Sequence, residues 1–283
     1  MKNKNIFLGF LALFLAIMFI AHRGPTEVAP PAPFSEPVIA FVDAQDALYE
    51  QVREQVAPSV FKIVSGTMFR ISIPSGVVTA QCPVISGSGF FVTRDGHGIT
   101  AAHVIDMTED DKACFETVKA NLNEKKIPFS EVKRISITNA ILADGRTLQM
   151  VVLAATSPEN EDLALVQVAM PKGETIRPLA FSNATDLSDQ TVAVVGAPFG
   201  IANLISTGKI GRAELHNGQY RLVVAPVYPG NSGGPVILLR DFRVVGIIDK
   251  VVVQGDAATN IAYAVPANVV VEFLHAHLPI YVF

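Results

Sequence analysis

One serine of this chain lies between glycines, in the segment Gly230–Pro235. Glycine reaches backbone conformations that other residues avoid. Neighbouring N–H groups can therefore point toward a single atom here, as an oxyanion hole requires. Ser232 would then be placed to act as a nucleophile. The same pattern also fits a tight turn between two strands, and the segment by itself leaves both interpretations open.

A histidine and an aspartate upstream would supply the groups that such a serine needs. His103 ends a run of small residues, and Asp162 opens a strongly apolar segment. A serine hydroxyl is a poor nucleophile at neutral pH, so it requires a base to take its proton and a third group to orient that base. Each residue has an ordinary structural explanation by itself, but together they form a candidate catalytic triad.

The chain order His103, Asp162, Ser232 is that of chymotrypsin-type enzymes, and the surrounding motifs resemble the trypsin/chymotrypsin superfamily. Within it, they are most similar to the HtrA/Deg-type serine proteases. The resemblance covers roughly residues 50 to 275, and its matching segments are Gly87–Phe91, Thr100–Val104, Asp162–Val168, Val195–Gly200, Ser206–Ile210, Gly230–Pro235 and Ala262–Pro266. It implies an endopeptidase that acts on polypeptides, with its site in the cleft between two antiparallel six-stranded β-barrels.

The resemblance also implies a role for each site residue. His103 would be the general base and then the acid, Asp162 would orient it, and Ser232 would attack the scissile carbonyl. The backbone of Gly230, Asn231 and Ser232 would form the oxyanion hole. Digestive relatives carry an aspartate at the position of Asn231, where it pairs with a new N-terminus. Since asparagine has no charge for that pair, we predict an enzyme that is not activated by N-terminal trimming.

The substrate-binding residues implied by the resemblance are Ile247, Ile248, Asp249 and Ala262. Main-chain pairing along an edge strand is the usual mode for extended peptides. We place that edge at Gly246–Asp249 and expect a small or apolar primary pocket. Asp249 and Lys250 interrupt an apolar run, which indicates an exposed strand edge or a paired surface charge.

Three features depart from the HtrA pattern. The residues before the histidine are Thr-Ala-Ala instead of Thr-Asn-Asn, and His103 and Asp162 are 59 positions apart (162 − 103). The polar segment Asp106–Lys133 accounts for the long spacing, and Thr108 with Asp111 predicts a capping box that opens a helix there. No PDZ domain is expected after the C-terminal helix, so PDZ-mediated substrate capture is in doubt, while a homotrimer is still allowed.

The segments that must position these residues are mostly short β-type runs separated by turn residues, which favours an antiparallel sandwich or barrel. Asp144 and Gly145 predict a hairpin between the strands Arg134–Ala143 and Thr147–Thr156. Helices are predicted at Asp43–Val56 and Ala267–His277. The predicted fold class is therefore all-β, with a short N-terminal helix, a helical surface insertion and a C-terminal helix.

The N-terminus predicts a membrane anchor or signal segment over residues 1–23. Ile6–Ala21 is an unbroken apolar run behind Lys2 and Lys4, and it lacks a small-x-small cleavage site, which favours an uncleaved anchor over a cleaved signal. The positive charges predict that the rest of the chain is exported to the periplasmic or extracytoplasmic side of the cell envelope. Residues 24–41 form a Pro-rich linker, and residues 42–283 form the protease domain.

The composition excludes some classes of ligand and partner. The net charge is −4, without a basic run, so we expect no nucleic-acid partner. The two cysteines, Cys82 and Cys114, do not form a metal-binding cluster, and neither a metal nor another cofactor is predicted. The cysteines fit a disulfide or two free thiols, and these alternatives stay open.

Two rival functions are weighed against the protease. One is a catalytically silent protease-like binding module tethered to the membrane. The other is an α/β-hydrolase esterase, because Gly230-x-Ser232-x-Gly234 also fits a nucleophile elbow, with Asp249 or Asp256 and then His275 or His277 behind it. An elbow leads into a helix, however, and the residues after Ser232 have a β pattern.

Overall fold

The computed structural model describes residues 36–82, 84–106, 108–201, 203–216, 219–225, 227–254 and 257–278. It divides into two units, Met1–Ala44 and Gln45–Phe283. The predicted anchor and most of the predicted linker lie outside the described residues. Of the helices that the structure describes, none is long and apolar enough to span a membrane.

The first barrel is built from seven antiparallel strands. They are β1 (Val60–Ile73), β2 (Gly76–Gln81), β3 (Ile85–Phe91), β4 (His97–Ala101), β5 (Glu131–Ile141), β6 (Thr147–Ala155) and β7 (Leu163–Val168). Their order in the sheet is β2-β1-β3-β4-β7-β6-β5, and β1 also pairs with β5. The β1–β5 pairing closes the other six strands into a ring. Strand β2 lies outside this ring and pairs with the end of β1.

The second barrel is a closed six-stranded one. Its strands are β8 (Thr191–Gly196), β9 (Leu204–His216), β10 (Gln219–Ala225), β11 (Pro235–Leu238), β12 (Val244–Gln254) and β13 (Ala257–Pro266). The order around the barrel is β10-β13-β12-β11-β8-β9. The predicted double-barrel fold class is confirmed.

Neighbouring residues on one strand pack into different hydrophobic clusters, because successive side chains point to opposite faces of the sheet. Phe91 packs inside the first barrel, and Ile248 packs inside the second. Their neighbours Phe90 and Ile247 belong instead to a third cluster that takes residues from both barrels. This shared cluster joins the barrels, so the strand ends that carry the site residues rest on one continuous packed core.

Two glycines of the first barrel make room for one aromatic ring. A Cβ added at Gly89 would lie 2.6 Å from the Phe61 ring, and one added at Gly98 would lie 2.8 Å from it. Phe61 is 1 % exposed. The Gly-rich segment before His103 therefore has a packing role in addition to its place in the family motif.

The N-terminal helix α1 (Glu36–Gln55) begins earlier than the predicted start at Asp43. Pro37 lies in its first turn, where proline is tolerated because the N–H it lacks has no partner in the helix. The last residues of the predicted linker are thus helical. At the other end, Val52 and Val56 join the shared core cluster, and a 3-10 turn at Ala57–Ser59 leads into β1.

The insertion between β4 and β5 carries helix α2 (Thr108–Glu124), which begins at the predicted Thr108. Cys114 on this helix forms a disulfide with Cys82, next to β2. The open question about the cysteines is thereby decided in favour of the disulfide. Around it, Phe69, Ile71 and Cys82 are buried and contact Phe115 and Val118. The insertion and the β1–β2 hairpin therefore share a small core of their own.

Two further predicted elements are confirmed. The hairpin between β5 and β6 turns at Asp144 and Gly145, and Gly145 has a φ of 85°. Helix α3 has the predicted bounds, Ala267–His277. Strand β2 was not predicted, although Pro74 and Ser75 before it are ordinary turn residues.

Candidate active site

Strand register brings His103 and Asp162 together. Ala101 at the end of β4 pairs with Leu163 at the start of β7. Since the two strands are antiparallel, the residues just beyond these positions leave the sheet at the same end. His103 lies in the 3-10 turn Ala102–Val104, and the Ala102 N–H donates to the Asp162 carbonyl at 3.0 Å. Two of the predicted site residues are therefore neighbours.

Asp162 holds His103 by two hydrogen bonds. The backbone N–H of His103 donates to Oδ1 at 2.9 Å, and Nδ1 of its ring lies 2.6 Å from Oδ2. The carboxyl is fully buried at 0 %, whereas the His103 side chain is 33 % exposed. With its proton on Nδ1, the ring presents Nε2 as an acceptor on its open side.

The backbone of Asp162 is in the left-handed region, with a φ of 57°. Aspartate visits this region more readily than most residues, but at a cost in free energy. Such conformations persist where the surroundings determine them, and they are frequent at functional sites. Here the double hydrogen bond with His103 stabilises the residue.

Ser232 lies in two consecutive turns between Tyr228 and Gly234. The Asn231 N–H donates to the Tyr228 carbonyl at 3.1 Å, and the Gly234 N–H donates to the Asn231 carbonyl at 2.8 Å. Gly230 has a φ of 100° and Gly233 a φ of 81°, conformations that favour glycine. The glycines flanking the serine are therefore required by the backbone.

The Ser232 hydroxyl donates to the Asp249 carbonyl at 3.4 Å. Within the described residues it makes no hydrogen bond to His103. Catalytic hydrogen bonds are often long or absent without substrate and form in the complex. Ser232 as a residue is half-buried.

Ser88 joins the first barrel to the turn that contains Ser232. Its Oγ donates to the Gly230 carbonyl at 2.8 Å and accepts the Ala197 N–H at 2.9 Å. Its backbone N–H donates to the Ser232 carbonyl at 2.8 Å. In the sequence, Ser88 stands out only as part of the motif Gly87–Phe91. Its distance along the chain from Ala197 and Gly230 gives no indication that it contacts them.

Close packing around the turn leaves no room for side chains. A Cβ at Gly233 would lie 2.2 Å from the Ser88 carbonyl oxygen, and one at Gly196 would lie 2.6 Å from Asn231 Oδ1. Asn231 is 1 % exposed, and in the described part of the chain its Oδ1 has no hydrogen-bond partner. The turn is therefore held between β3, β4 and β8.

The four predicted substrate-binding residues are all buried. Ile247, Ile248 and Ala262 are 0 % exposed and Asp249 is 1 % exposed. The expectation that Asp249 belongs to a surface charge pair is wrong, because its side chain is buried, whereas the alternative that it marks a strand edge stays a prediction. Their place in substrate binding stays a prediction.

Among the described pairings, β11 reaches along β12 only as far as Ile247. Ile247 pairs with Pro235 on one side and Val265 on the other, and the Ile248 N–H and carbonyl are bonded to Gly234 and Gly233. The first partly exposed residue after these is Lys250. Its ammonium donates to the Pro158 carbonyl at 3.0 Å, in the loop before Asp162.

Asp249 lies close to the histidine–aspartate pair. One donor atom from each of His103, Asp162 and Asp249 falls within 4.8 Å of the others. A histidine with two carboxyls is a donor set that can suit a cation. Here the hydrogen bond between His103 and Asp162 already joins two of the three groups, so we treat the set as a hydrogen-bonded carboxyl–imidazole cluster.

The nucleophile-elbow alternative does not fit the chain after Ser232. Pro235–Leu238 is strand β11, not a helix. Asp249 lies beside His103, while His275 and His277 are exposed on helix α3. Asp256, the other acid considered, lies outside the described residues.

The two β-barrels, the aspartate-bound histidine beside Asp249, and the glycine-turn serine whose hydroxyl donates to the Asp249 carbonyl are together the features of the chymotrypsin-like class. A family model described as a trypsin-like peptidase domain matches residues 87–247, which is more than half of the chain. The chain belongs to this family.

Curated relatives point to the DegP and HtrA branch. The chain is 25 % identical over 257 residues to a DegP-like periplasmic serine endoprotease of Halomonas elongata, covering 87 % of the chain and 47 % of the relative. It is 31 % identical over 145 residues to periplasmic serine endoprotease DegP of Salmonella typhimurium, covering 49 % and 30 %. It is 28 % identical over 233 residues to serine protease HTRA1A of Danio rerio, covering 79 % and 40 %. The chain thus spans less than half the length of these relatives.

Proposed function

We propose that the chain is a serine endopeptidase that hydrolyses peptide bonds through an acyl-enzyme. In this proposal Ser232 is the nucleophile, His103 is the general base and then the acid, and Asp162 orients His103. The backbone N–H groups of Gly230 and Ser232 are the proposed oxyanion-hole donors, while the N–H of Asn231 between them already donates to the Tyr228 carbonyl. The observation that carries the proposal is the double hydrogen bond from His103 to a buried Asp162.

The proposed chemistry follows from this arrangement. With Nδ1 bound to Asp162, Nε2 of His103 is the ring atom left to accept the Ser232 proton as the hydroxyl attacks. The buried carboxylate then stabilises the imidazolium, which returns its proton to the leaving amine. Oxyanion-hole donors typically contribute about 3 kcal/mol each to the transition state.

The proposed substrates are polypeptides of the cell envelope, including misfolded exported proteins. Two DegP relatives are named as periplasmic serine endoproteases. The disulfide between Cys82 and Cys114 supports an oxidising compartment, because disulfides persist mainly outside the cytoplasm. Anchoring by the N-terminal segment and a homotrimeric assembly belong to the same proposal.

Asn231 supports a further part of the proposal, that activity needs no N-terminal trimming. The residue is buried and uncharged, so it cannot pair electrostatically with a newly released ammonium. The glycine turn already has its characteristic backbone angles in the intact chain. An untrimmed protein that cleaves peptide only after being cut would contradict this part.

The experiment is covalent labelling of the full chain with a fluorophosphonate probe, together with cleavage of an unfolded protein substrate. We expect wild type to label and cleave, and Ser232→Ala and His103→Ala to do neither. Ser188→Ala removes an exposed hydroxyl elsewhere and should behave as wild type.

The outcomes separate the alternatives. A wild-type protein that binds peptides but never labels would be a silent binding module. Labelling that survives His103→Ala but is lost in His275→Ala or His277→Ala would indicate the hydrolase order of residues. Labelling lost only in Ser232→Ala and His103→Ala, with cleavage of protein substrate, supports the proposed function.

A further inference from the structure

A second buried carboxyl lies beside the His103–Asp162 pair. Asp249, on β12, is 1 % exposed. It contributes a carboxyl oxygen to the group of three donor atoms that lie within 4.8 Å of one another. Its backbone carbonyl accepts the Ser232 hydroxyl at 3.4 Å. The backbone of Asp249 therefore contacts Ser232, and its side chain lies close to His103 and Asp162.

Two carboxyls this close, both shielded from water, do not both ionise without a large cost in free energy. When His103 is neutral, as it must be to accept a proton from Ser232, it does not offset a second negative charge. Asp162 accepts two N–H groups of His103, and such donors favour the charged form of a carboxyl. The proton that the two carboxyls retain therefore belongs on Asp249.

We propose that Asp249 is a positioning residue that works as a protonated carboxylic acid directed at Asp162. The inference rests on the proposed function, since Asp249 acts through the Asp162–His103 pair. While protonated, it adds a donor beside Asp162 and no charge. Release of its proton to solvent at alkaline pH removes the donor and places a second negative charge next to Asp162, so the imidazole loses its fixed orientation and activity falls.

Other titratable side chains lie on the elements around Asp249. Lys250 follows it on β12, and its ammonium donates to the Pro158 carbonyl. Glu161 precedes Asp162 and is half-buried, Tyr263 is on the paired strand β13, and Tyr228 is in the turn before Ser232. Among the described His, Cys, Asp and Glu side chains, the group within 4.8 Å consists of His103, Asp162 and Asp249.

The test is the pH dependence of kcat/KM for the full chain, measured with a cleavable peptide, for wild type, Asp249→Asn and Asp249→Leu. Asparagine keeps a donor but cannot ionise, so Asp249→Asn should keep the acid limb of wild type and lose its alkaline fall. Asp249→Leu has no donor and should lower kcat by about 10-fold or more, with little change in KM. The control is Glu159→Gln, which neutralises an exposed carboxyl in the loop before Asp162 and should retain the wild-type profile.

An Asp249→Asn profile that superimposes on that of wild type overturns the proposal. A shift of its acid limb to lower pH also overturns it, because Asp249 would then be charged while His103 titrates. Thermal melts show whether Asp249→Leu folds; if it does not, the asparagine variant decides alone. A Ser232→Ala protein that still cleaves peptide overturns the proposed function and this inference with it, whereas an inactive Ser232→Ala beside an unchanged Asp249→Asn overturns only the role of Asp249.

Discussion

Asp162 binds His103 twice, through the backbone N–H at 2.9 Å and through Nδ1 at 2.6 Å. The first bond fixes the position of the histidine, and the second fixes its tautomer and ring orientation. Both follow from the pairing of Ala101 with Leu163, which brings the ends of β4 and β7 together. One register position in the sheet thus determines the geometry of the proposed acid–base pair.

The first prediction concerns Asp162→Asn. The amide cannot accept from both N–H groups of His103 and also stabilise an imidazolium, so we expect kcat to fall about 10³- to 10⁴-fold with a much smaller change in KM. Steady-state kinetics on a peptide substrate measure this. Asparagine tolerates the left-handed backbone of residue 162, so the variant should fold.

The matched control is Asp189→Asn. Asp189 also has a positive φ, of 60°, but it is exposed at the start of the second barrel. Wild-type kinetics are expected for this control. A small and equal loss of kcat in both variants would mean that the carboxylate of Asp162 has no special role.

The second prediction concerns Ser88→Ala. Loss of this hydroxyl leaves the buried Ala197 N–H and the partly buried Gly230 carbonyl without their partner; a fully buried group left unpaired typically costs about 1 to 3 kcal/mol. Because Gly230 lies in the turn before Ser232, kcat should fall together with stability. Chemical denaturation and kinetics measure the two effects.

Ser59→Ala is the control for the Ser88 variant. Ser59 is equally buried at 0 %, and its hydroxyl donates to the Arg177 carbonyl at 2.6 Å, away from the site. We expect it to lose stability while keeping kcat. If both variants lose kcat in proportion to stability, the Ser88 bridge acts on folding alone.

The residue types and their order were sufficient to predict the fold class, the hairpin at Asp144 and Gly145, and the helix over Ala267–His277. These features depend on turn residues, on hydrophobic periodicity, or on motifs whose residues are close together in the sequence. The start of α1 was predicted too late, because Pro37 at a first helical turn resembles the end of a linker. Local patterns predict such elements better than they predict their boundaries.

The burial of Asp249 could not be predicted from sequence. A charged residue in an apolar run usually marks a surface, and only the meeting of β12 with the loop before β7 places this carboxyl beside Asp162. The same holds for Ser88, whose two partners are 109 and 142 positions away. Contacts between the barrels depend on tertiary packing, which no local pattern records.

The third prediction concerns Gly233→Ala. The added Cβ would lie 2.2 Å from the Ser88 carbonyl oxygen and 2.8 Å from the Ala101 nitrogen, in backbone that already has a φ of 81°. The turn must therefore move, and we expect loss of fluorophosphonate labelling together with a large loss of stability. Gly173→Ala is the control that distinguishes backbone strain from steric overlap. Gly173 has a similar φ of 86°, but a Cβ added there would meet nothing within 4 Å. It should cost only about 1 kcal/mol and label normally; equal losses in both variants would contradict the steric explanation.

The fourth prediction concerns the pH dependence of stability at the β5–β6 hairpin. The backbone N–H of Arg146, followed by its guanidinium, holds the pKa of Asp144 below its usual 3.8. A depressed pKa in the folded state adds stability above the unfolded pKa, and this stability is lost as pH falls through the folded pKa. Asp144→Asn should therefore be slightly less stable than wild type near neutral pH and equal to it in strong acid. Urea midpoints across this range measure the difference, and an Asp144 pKa at or above 3.8 by NMR would contradict it.

The last prediction concerns the disulfide between Cys82 and Cys114, which closes a loop with a sequence separation of 32. Closing a loop of this size stabilises by about 4 kcal/mol in the chain-entropy account. Because the bond lies in a small core separate from those of the barrels, its loss should open α2 and β2 before the rest of the domain. The double variant Cys82→Ser/Cys114→Ser should thus become sensitive to limited proteolysis at Lys112 and Lys119 on α2, and its amides there should exchange faster, while the barrel amides keep their protection. Wild type treated with a reductant should match the variant. Uniform loss of protection across both barrels would instead mean that the insertion and the barrels unfold as one unit.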